Sequence, residues 1–460
     1  MHMRRLTITT VLAALSTLAA AEPQSLTTQP GVWKMQGYGI VLDATPSSVT
    51  TYDVTDISCV RVESKPREQA DEDYLVGRAE GDRLVVRDPG GITDYALLKL
   101  PTLPDRCRQG AGTSGPLRDP ALNFWVLWHA FRENYAFFET HAVDWNLTAA
   151  KFRPRIDATT TDAELGAVFN EMLLSLADGH VTLQAGERTY ESGRPGELRA
   201  LWQSTHAEMP KRESRSAMEA ELKRFVETEL LHGKGKTAAL GALTWGWMSR
   251  GVAYLQVSSM WLTDAAHPDG LDLPRSLELI DAGMRQALRD LHGAKVWVVD
   301  ARLNGGGHDA VALRIMGYFT GERFKAFSKK AVDGTGFTDE QPVFVEPATG
   351  QPYPGPILYL QSGSTVSAAE IFSLAMQARP NVTRIGTPTY GVFSDELEKH
   401  LPNGWTLTLS NELYTSVDGN VYESKGVPPQ IPVRPTPGMS FIDRLRLDID
   451  AARAEAAKLE

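Results

Sequence analysis

The stretch QSGSTVSAAEIFSLAM, Gln361 to Met376, follows directly on the apolar run Pro356-Ile-Leu-Tyr-Leu360. The run reads as a buried strand, the small and hydroxylated residues as a tight turn, and the apolar periodicity from about Ala368 as a helix. A strand ending in such a turn can present a serine oxygen at the open N-terminus of a helix, where unpaired amides favour developing negative charge. That is the layout of an acyl-transfer nucleophile. Ser362, Ser364, Thr365 and Ser367 all compete for the role, and the turn by itself does not choose. A helix N-cap is the plainer reading of the same residues, and local sequence favours it.

Upstream of this unit the pattern also alternates strand and helix. Val252–Val257 reads as a strand, Ser276–Leu291 as an amphipathic helix, and Val296–Val299 as a buried strand running into Asp300-Ala-Arg-Leu-Asn-Gly-Gly-Gly307. Alternation of this kind predicts a largely parallel sheet, with sites at the C-terminal ends of its strands. The glycine turn and the serine turn both lie there. Gly305 to Gly307 would allow close backbone approach and expose amides, as an oxyanion hole requires; a structural turn is the alternative. No Gly-Lys-Ser/Thr follows, so the turn is not a phosphate-binding loop of the Walker type.

Residues 30–100 carry short β-branched segments such as Tyr38–Leu42, Cys59–Val62 and Arg83–Arg87, which predict a small β-domain. Arg106–Pro116, rich in glycine, reads as a linker. Phe124, Trp125, Leu127, Trp128, Phe131 and Tyr135 then recur at helical spacing and read as core. A second helix is expected from Asp162, its cap, to a C-cap at Asp178-Gly179. His180 follows and opens the alternating run to Leu183. Residues 185–240 are polar and read as an insertion over or beside the body, with a helical patch around Ser216–Leu231 and a solvated Lys/Glu face. The expected organisation is a signal peptide at 1–21, a β-rich domain at 22–105 and a helical region at 117–184. The insertion (185–245), an α/β core (246–440) and a C-terminal helix (441–460) complete it.

The chain has 460 residues, 42% hydrophobic and 23% charged, which suits a folded protein of two or three domains. A formal net charge of −10 and the absence of basic runs argue against nucleic acid as a partner. Arg4 and Arg5, the apolar segment Ile8–Leu18 and the small residues Ala19–Ala21 have the order of a secretory signal cut after Ala21. The expected address is therefore periplasmic or extracellular, with no stable membrane span. Cys59 and Cys107 could pair in an oxidising compartment or stay free; neither stands in a metal-binding spacing.

Five segments occur together in one order: LADGHVTL (176–183), VVDARLNGGG (298–307), STVSAAEIF (364–372), GTPTYG (386–391) and YESKGVPPQI (422–431). This set resembles the tail-specific, C-terminal-processing and tricorn group of serine peptidases, which is related to interphotoreceptor retinoid-binding proteins. The resemblance runs from about Leu122 to Val433. It implies a mixed α/β core of the ClpP/crotonase-like kind behind a small β-rich domain and a helical bundle. It also resolves the choice of serine: the family's nucleophile stands three residues before a glutamate, as Ser367 stands before Glu370. The amides of Ala368 and Gly306 would then form the oxyanion hole.

One branch of that group uses a lysine base in the turn after the nucleophile helix. Here Val392 occupies the place, so the resemblance points to the tricorn-like branch, with His180 as base and Glu423 as its carboxylate partner. Imidazole would take the serine proton and return it to the leaving amine, while the carboxylate fixes the tautomer. Gly179 replaces an auxiliary serine, Gln430 replaces an aspartate, and no peptide-binding PDZ module is evident between His180 and Val252. The expected activity is hydrolysis of proteins or peptides, with no metal or organic cofactor required. A non-catalytic binding protein on the same scaffold and an esterase with the same triad are the competing readings.

Overall fold

The computed structural model describes residues 24–73, 75–110, 117–206, 209, 211–436 and 438–459. The expected signal peptide lies outside them. The first layer is an eight-stranded antiparallel sheet. Its order is Gln24–Ser25, Leu75–Glu80, Arg83–Arg87, Tyr95–Leu100, Gly31–Met35, Ile40–Ala44, Ser48–Val54, Cys59–Pro66. Alternate residues of these strands (Trp33, Leu42, Leu84, Val86, Leu97) turn inward to form its core. Cys59 and Cys107 are joined, clipping the helix Asp105–Gly110 onto the last strand. The start of the expected linker is therefore helical, and residues 111–116 lie outside the described ones.

The aromatic helix spans Pro120–Asn134, with Asp119 capping the amides of Ala121 and Leu122. Phe124, Leu127 and Phe131 are buried, whereas Trp125 is 37% exposed and leaves the expected stripe. After a short helix, Trp145–Phe152, the expected second helix spans Asp162–Leu174 and is capped by Thr161 rather than Asp162, in a capping box with Glu164. It also ends earlier than expected. Ala177 takes the left-handed conformation (φ 49°) and breaks the chain direction, so Asp178-Gly179 is not a C-cap but part of a turn. These helices pack on a four-stranded sheet ordered Arg188–Glu191, Thr182–Ala185, Thr406–Ser410, Glu396–His400.

The central layer is a seven-stranded mixed sheet. Lys236–Ala238, Leu243–Ser249 and Val252–Val257 run antiparallel, and Val252–Val257, Val296–Asp300, Ile357–Gln361, Val382–Gly386 and Ile431–Pro432 run parallel. Helices Leu273–Asp290, Asp309–Gly317 and Ala368–Gln377 cover one face. Glu197–Thr205, Lys211–Phe225 and Phe441–Ala456 cover the other, burying Leu198, Trp202, Met218, Leu222 and Phe225. The polar insertion is thus one of the walls of the core. A further sheet pairs Phe324–Asp333 with Gln341–Val345 and Glu412–Ser416. Among the described residues no helix is long and apolar enough to cross a membrane.

Candidate active site

The strand Ile357–Gln361 is buried along its whole length in the middle of the parallel sheet, so its C-terminal end is held firmly. The turn that follows is built by hydroxyls. Ser362 Oγ donates to the Arg302 carbonyl at 2.6 Å and accepts from the Ser364 amide at 3.0 Å. Thr365 Oγ1 donates to the Ala301 carbonyl at 2.9 Å and accepts from the Ser362 amide at 3.0 Å. Ser364 Oγ accepts from the Leu198 amide at 2.9 Å. Three of the four competing hydroxyls are therefore structural. Ser367 differs: it sits at the N-cap position of the helix Ala368–Gln377 with φ 57° and ψ −127°, and its side chain makes no capping bond. It is half-buried, and among the described residues its hydroxyl has no hydrogen-bond partner.

The glycine turn leans directly on this serine. A Cβ on Gly306 (φ 98°) would lie 2.7 Å from Ser367 Cβ and 3.0 Å from the Ala368 nitrogen, which only glycine tolerates. Asn304 holds the turn: its carbonyl accepts from the Val366 amide at 3.0 Å, and its side-chain oxygen accepts from the Gly306 amide at 2.8 Å. That corrects one expectation. The Gly306 N–H is engaged by Asn304 and is not a free oxyanion donor in this arrangement; Gly306 serves close approach. The Ala368 amide, in the first turn of its helix, has no acceptor among the described residues.

Glu370, one turn beyond Ser367, is fully buried and grips the loop 389–393, accepting from the amides of Gly391 and Val392 at 2.7 Å each. Burial pushes its carboxyl up to about 7. Glu423 reaches the same loop, accepting from the Phe393 amide at 3.0 Å. It is also buried, and desolvation together with the neighbouring Asp178 raises its carboxyl well above the ordinary range. Val392, in the place of the lysine, is held by Glu370 through its backbone.

His180 stands in the turn before the strand Thr182–Ala185. Its amide donates to Asp178 Oδ1 at 2.9 Å, and its carbonyl accepts from the Thr408 hydroxyl at 2.7 Å. The ring is 6% exposed; Nδ1 is buried without a partner, and Nε2 lies 3.9 Å from Glu396 Oε1. Beside it, Gly179 lies against Tyr390 and Val392. The fold thus gathers Ser367, His180 and Glu423 around loop 389–393. Among the described residues no hydrogen bond joins their side chains to one another.

Sequence reasoning missed Asp178, whose Oδ2 accepts from the Tyr135 hydroxyl at 2.9 Å, and Glu396 beside His180. The Asp-Gly-His run carried the first signal but read as a helix end. Gln430 is structural, its side chain accepting from the Arg384 amide at 2.8 Å. Away from this site, Asp56, His129 and Glu133 could approach a metal, yet Glu133 already accepts from the Asp56 amide and meets His129 Nδ1 at 2.8 Å.

Residues 251–433 match the family described as peptidase family S41, and residues 116–174 match the tricorn protease C1 domain. The carboxy-terminal processing protease CtpA of Bacillus subtilis (strain 168) is 26% identical over 139 residues. That alignment covers 30% of this chain and 28% of CtpA, so the chain spans less than a third of that relative's length. A putative peptidase from Parabacteroides merdae ATCC 43184 superposes with a TM-score of 0.59 at 22% identity, covering 74% of this chain and 97% of that one. Mature CPAF superposes with a TM-score of 0.50 at 12% identity, covering 74% and 97%. Both likenesses are of fold.

Proposed function

Because the chain belongs to the tail-specific and tricorn-type group of serine peptidases, we propose that it is exported and cleaves peptide bonds through an acyl-enzyme on Ser367. His180 is the general base and acid, and Glu423 the carboxylate that orients it. The observation that carries this reading is the state of the four hydroxyls. Ser362, Ser364 and Thr365 are consumed by the turn, whereas Ser367 is half-buried, unbonded among the described residues and held at a strained φ at a helix N-terminus.

In this mechanism Ser367 Oγ attacks the carbonyl carbon of the scissile bond as its proton passes to His180. The new oxyanion is met by the Ala368 amide at the helix N-terminus. Collapse of the adduct expels the amine, which takes the proton from His180, and water then releases the acyl group by the reverse relay. Nδ1 of His180 is unpartnered and Nε2 meets only Glu396, at 3.9 Å, so the ring is free to turn toward Ser367 as substrate seats. A positive charge on His180, once turned toward Glu423, would favour that residue's ionised carboxylate over the neutral form that burial prefers. Export is supported by the basic-apolar-small order of residues 4–21 and by the Cys59–Cys107 bond, which suits an oxidising compartment.

A fluorophosphonate probe should label the wild type, and Ser367→Ala should abolish both labelling and peptide hydrolysis without loss of fold. Continued labelling of that variant would sink the assignment. Ser362→Ala and Thr365→Ala, by contrast, should lose stability by about 1–3 kcal/mol while remaining labelled.

A further inference from the structure

The turn that carries His180 rests on a buried carboxylate to which the relay assigns no part. Asp178 is 3% exposed. Its Oδ1 accepts from the His180 amide at 2.9 Å, and its Oδ2 accepts from the Tyr135 hydroxyl at 2.9 Å. The Asp178 amide donates to Ser192 Oγ at 3.3 Å, and that hydroxyl donates to the Leu173 carbonyl at 2.7 Å. The carboxylate is therefore fixed from two sides, by the end of the helix Asp162–Leu174 and by the residue that closes the aromatic helix.

Tyr135 is itself firmly placed. It is buried, its amide donates to the Phe131 carbonyl at 2.8 Å, and its ring packs against Phe131, Phe137 and Phe138. The Ala136 amide donates to the Ser410 carbonyl at 2.9 Å, in the strand that pairs with Thr182–Ala185. Further along, His141 Nε2 lies 3.2 Å from the hydroxyl of Ser424, which follows Glu423 and takes φ 63°. One short segment, 135–141, thus touches both the turn of the candidate base and the turn of its candidate partner.

The charge of Asp178 also reaches Glu423, where after burial it is the next cause of the raised proton affinity. Glu423 faces Asp178 from the His180 turn, Glu370 from the helix behind Ser367, and Tyr135 from the aromatic helix. Asp178 acts in turn on His141, on Tyr390 in loop 389–393 and on Glu396. The cation of this neighbourhood, Arg194, is spent on Tyr390: it lies over that ring at 4.8 Å and donates to the Tyr390 carbonyl at 3.0 Å.

We propose that Asp178, anchored by Tyr135, is a positioning residue for hydrolysis, holding the His180 backbone where the imidazole can swing between Ser367 and Glu423. It touches neither the substrate nor the reacting atoms. The inference rests on the reading of His180 and Glu423 as base and carboxylate. It gives the helical region in front of the α/β core a part in the reaction, since Tyr135 belongs to it.

The test uses the purified enzyme, a quenched fluorogenic peptide that the wild type cleaves, and fluorophosphonate labelling to completion to count competent serines. Tyr135→Phe keeps the ring and removes one hydroxyl. Asp178→Asn keeps an acceptor for the His180 amide and removes the charge, whereas Asp178→Ala removes both. Per labelled serine, Tyr135→Phe should lower kcat several-fold and Asp178→Ala at least about tenfold, each at constant KM, because a loosened base misplaces proton transfer without touching bound peptide. The two changes together should cost no more than Asp178→Ala alone, since the hydroxyl acts through the carboxylate. Asp178→Asn should keep most of the alkaline plateau of kcat and move its acid limb down by about one pH unit, because Glu423 freed of a like charge ionises at lower pH. A purely structural role would lower the count of labelled serines and the urea midpoint while leaving kcat per serine and the acid limb in place. That result, in Tyr135→Phe and Asp178→Asn, overturns the proposal and leaves the nucleophile standing, whether or not Asp178→Ala folds. A wild type that neither labels nor hydrolyses peptide overturns the functional reading, and the proposal with it.

Discussion

At the scale of the residue, Ser367 is both the candidate nucleophile and a point of backbone strain. With φ 57° and ψ −127° it occupies a region that suits glycine, at a cost of order 1–3 kcal/mol for a residue with a Cβ. Ser367→Ala keeps the Cβ and the strain; Ser367→Gly removes both but adds freedom to the unfolded chain, an offset of roughly 0.4–1 kcal/mol. The Gly variant should therefore be the more stable of the two inactive proteins by about 1 kcal/mol, read from urea midpoints. An Ala variant of equal or greater stability would show that the conformation is not strained. Local sequence offered four equivalent hydroxyls, and only the ordered motifs of the resemblance singled out Ser367. The physical selection lay elsewhere: Ser362 and Thr365 bond to carbonyls 60 and 64 positions away, which no local pattern displays. Asp178 was misread for a related reason. Asp-Gly commonly ends a helix, but here Ala177 turns the chain first and frees Asp178 to meet Tyr135 and the His180 amide.

At the scale of the element, the helix Glu197–Thr205 braces the serine turn from the far face of the sheet. Glu197 Oε2 accepts from the Gly363 amide at 3.2 Å and from the Thr387 hydroxyl, and Oε1 accepts from the buried Arg444 Nε at 3.3 Å. The Leu198 amide meets Ser364 Oγ, so the turn is tied to this helix at two successive residues. Glu197→Ala should lower kcat about tenfold with little change in KM, because a slackened turn misplaces the serine without touching bound peptide. It should also cost about 1–3 kcal/mol by leaving polar groups unmatched. Glu197→Gln, which keeps an acceptor oxygen, should recover part of kcat; an unchanged kcat in the Ala variant, with the fold intact, would refute the brace. The strands and helices of this α/β unit were legible because burial imposes their periodicities directly: the wholly apolar Val296–Val299 and Ile357–Leu360 became central strands. The insertion's helices were legible in part. Which surface they would cover was not, since charged positions dominate Lys211–Phe225 and the few buried ones gain meaning only against the sheet.

At the scale of the whole molecule, the N-terminal sheet is joined to the body by single polar residues rather than by a repeating pattern. Lys399 Nζ donates to the Gly39 carbonyl at 2.9 Å and pairs with Asp53 at 3.1 Å, and the Tyr38 hydroxyl donates to Glu412. Contacts separated by more than 300 residues leave no trace in local sequence, so this seam was invisible beforehand. The structure also concentrates carboxyl groups whose proton affinity is raised on folding, and this sets the direction of its pH response. Burial and the charge of Asp395 raise the Asp309 carboxyl to about 8, and burial raises Glu370 to about 7. Both are ionised above about pH 4.5 in the unfolded chain. Between pH 6.5 and 8 the folded protein therefore holds protons that the unfolded chain has already released, so stability falls as pH rises through that window. His400, raised by its bond to Asp53, acts in the same sense, whereas His141 and His308, lowered by burial, oppose it only at more acidic pH. The expected loss from pH 6.5 to 8 is on the order of 2 kcal/mol, seen as a falling urea midpoint at constant slope. Asp309→Asn should flatten this decline, because the amide is neutral at every pH in the window. A stability that rises from pH 6.5 to 8 in the wild type, or an undiminished decline in that variant, would refute the account.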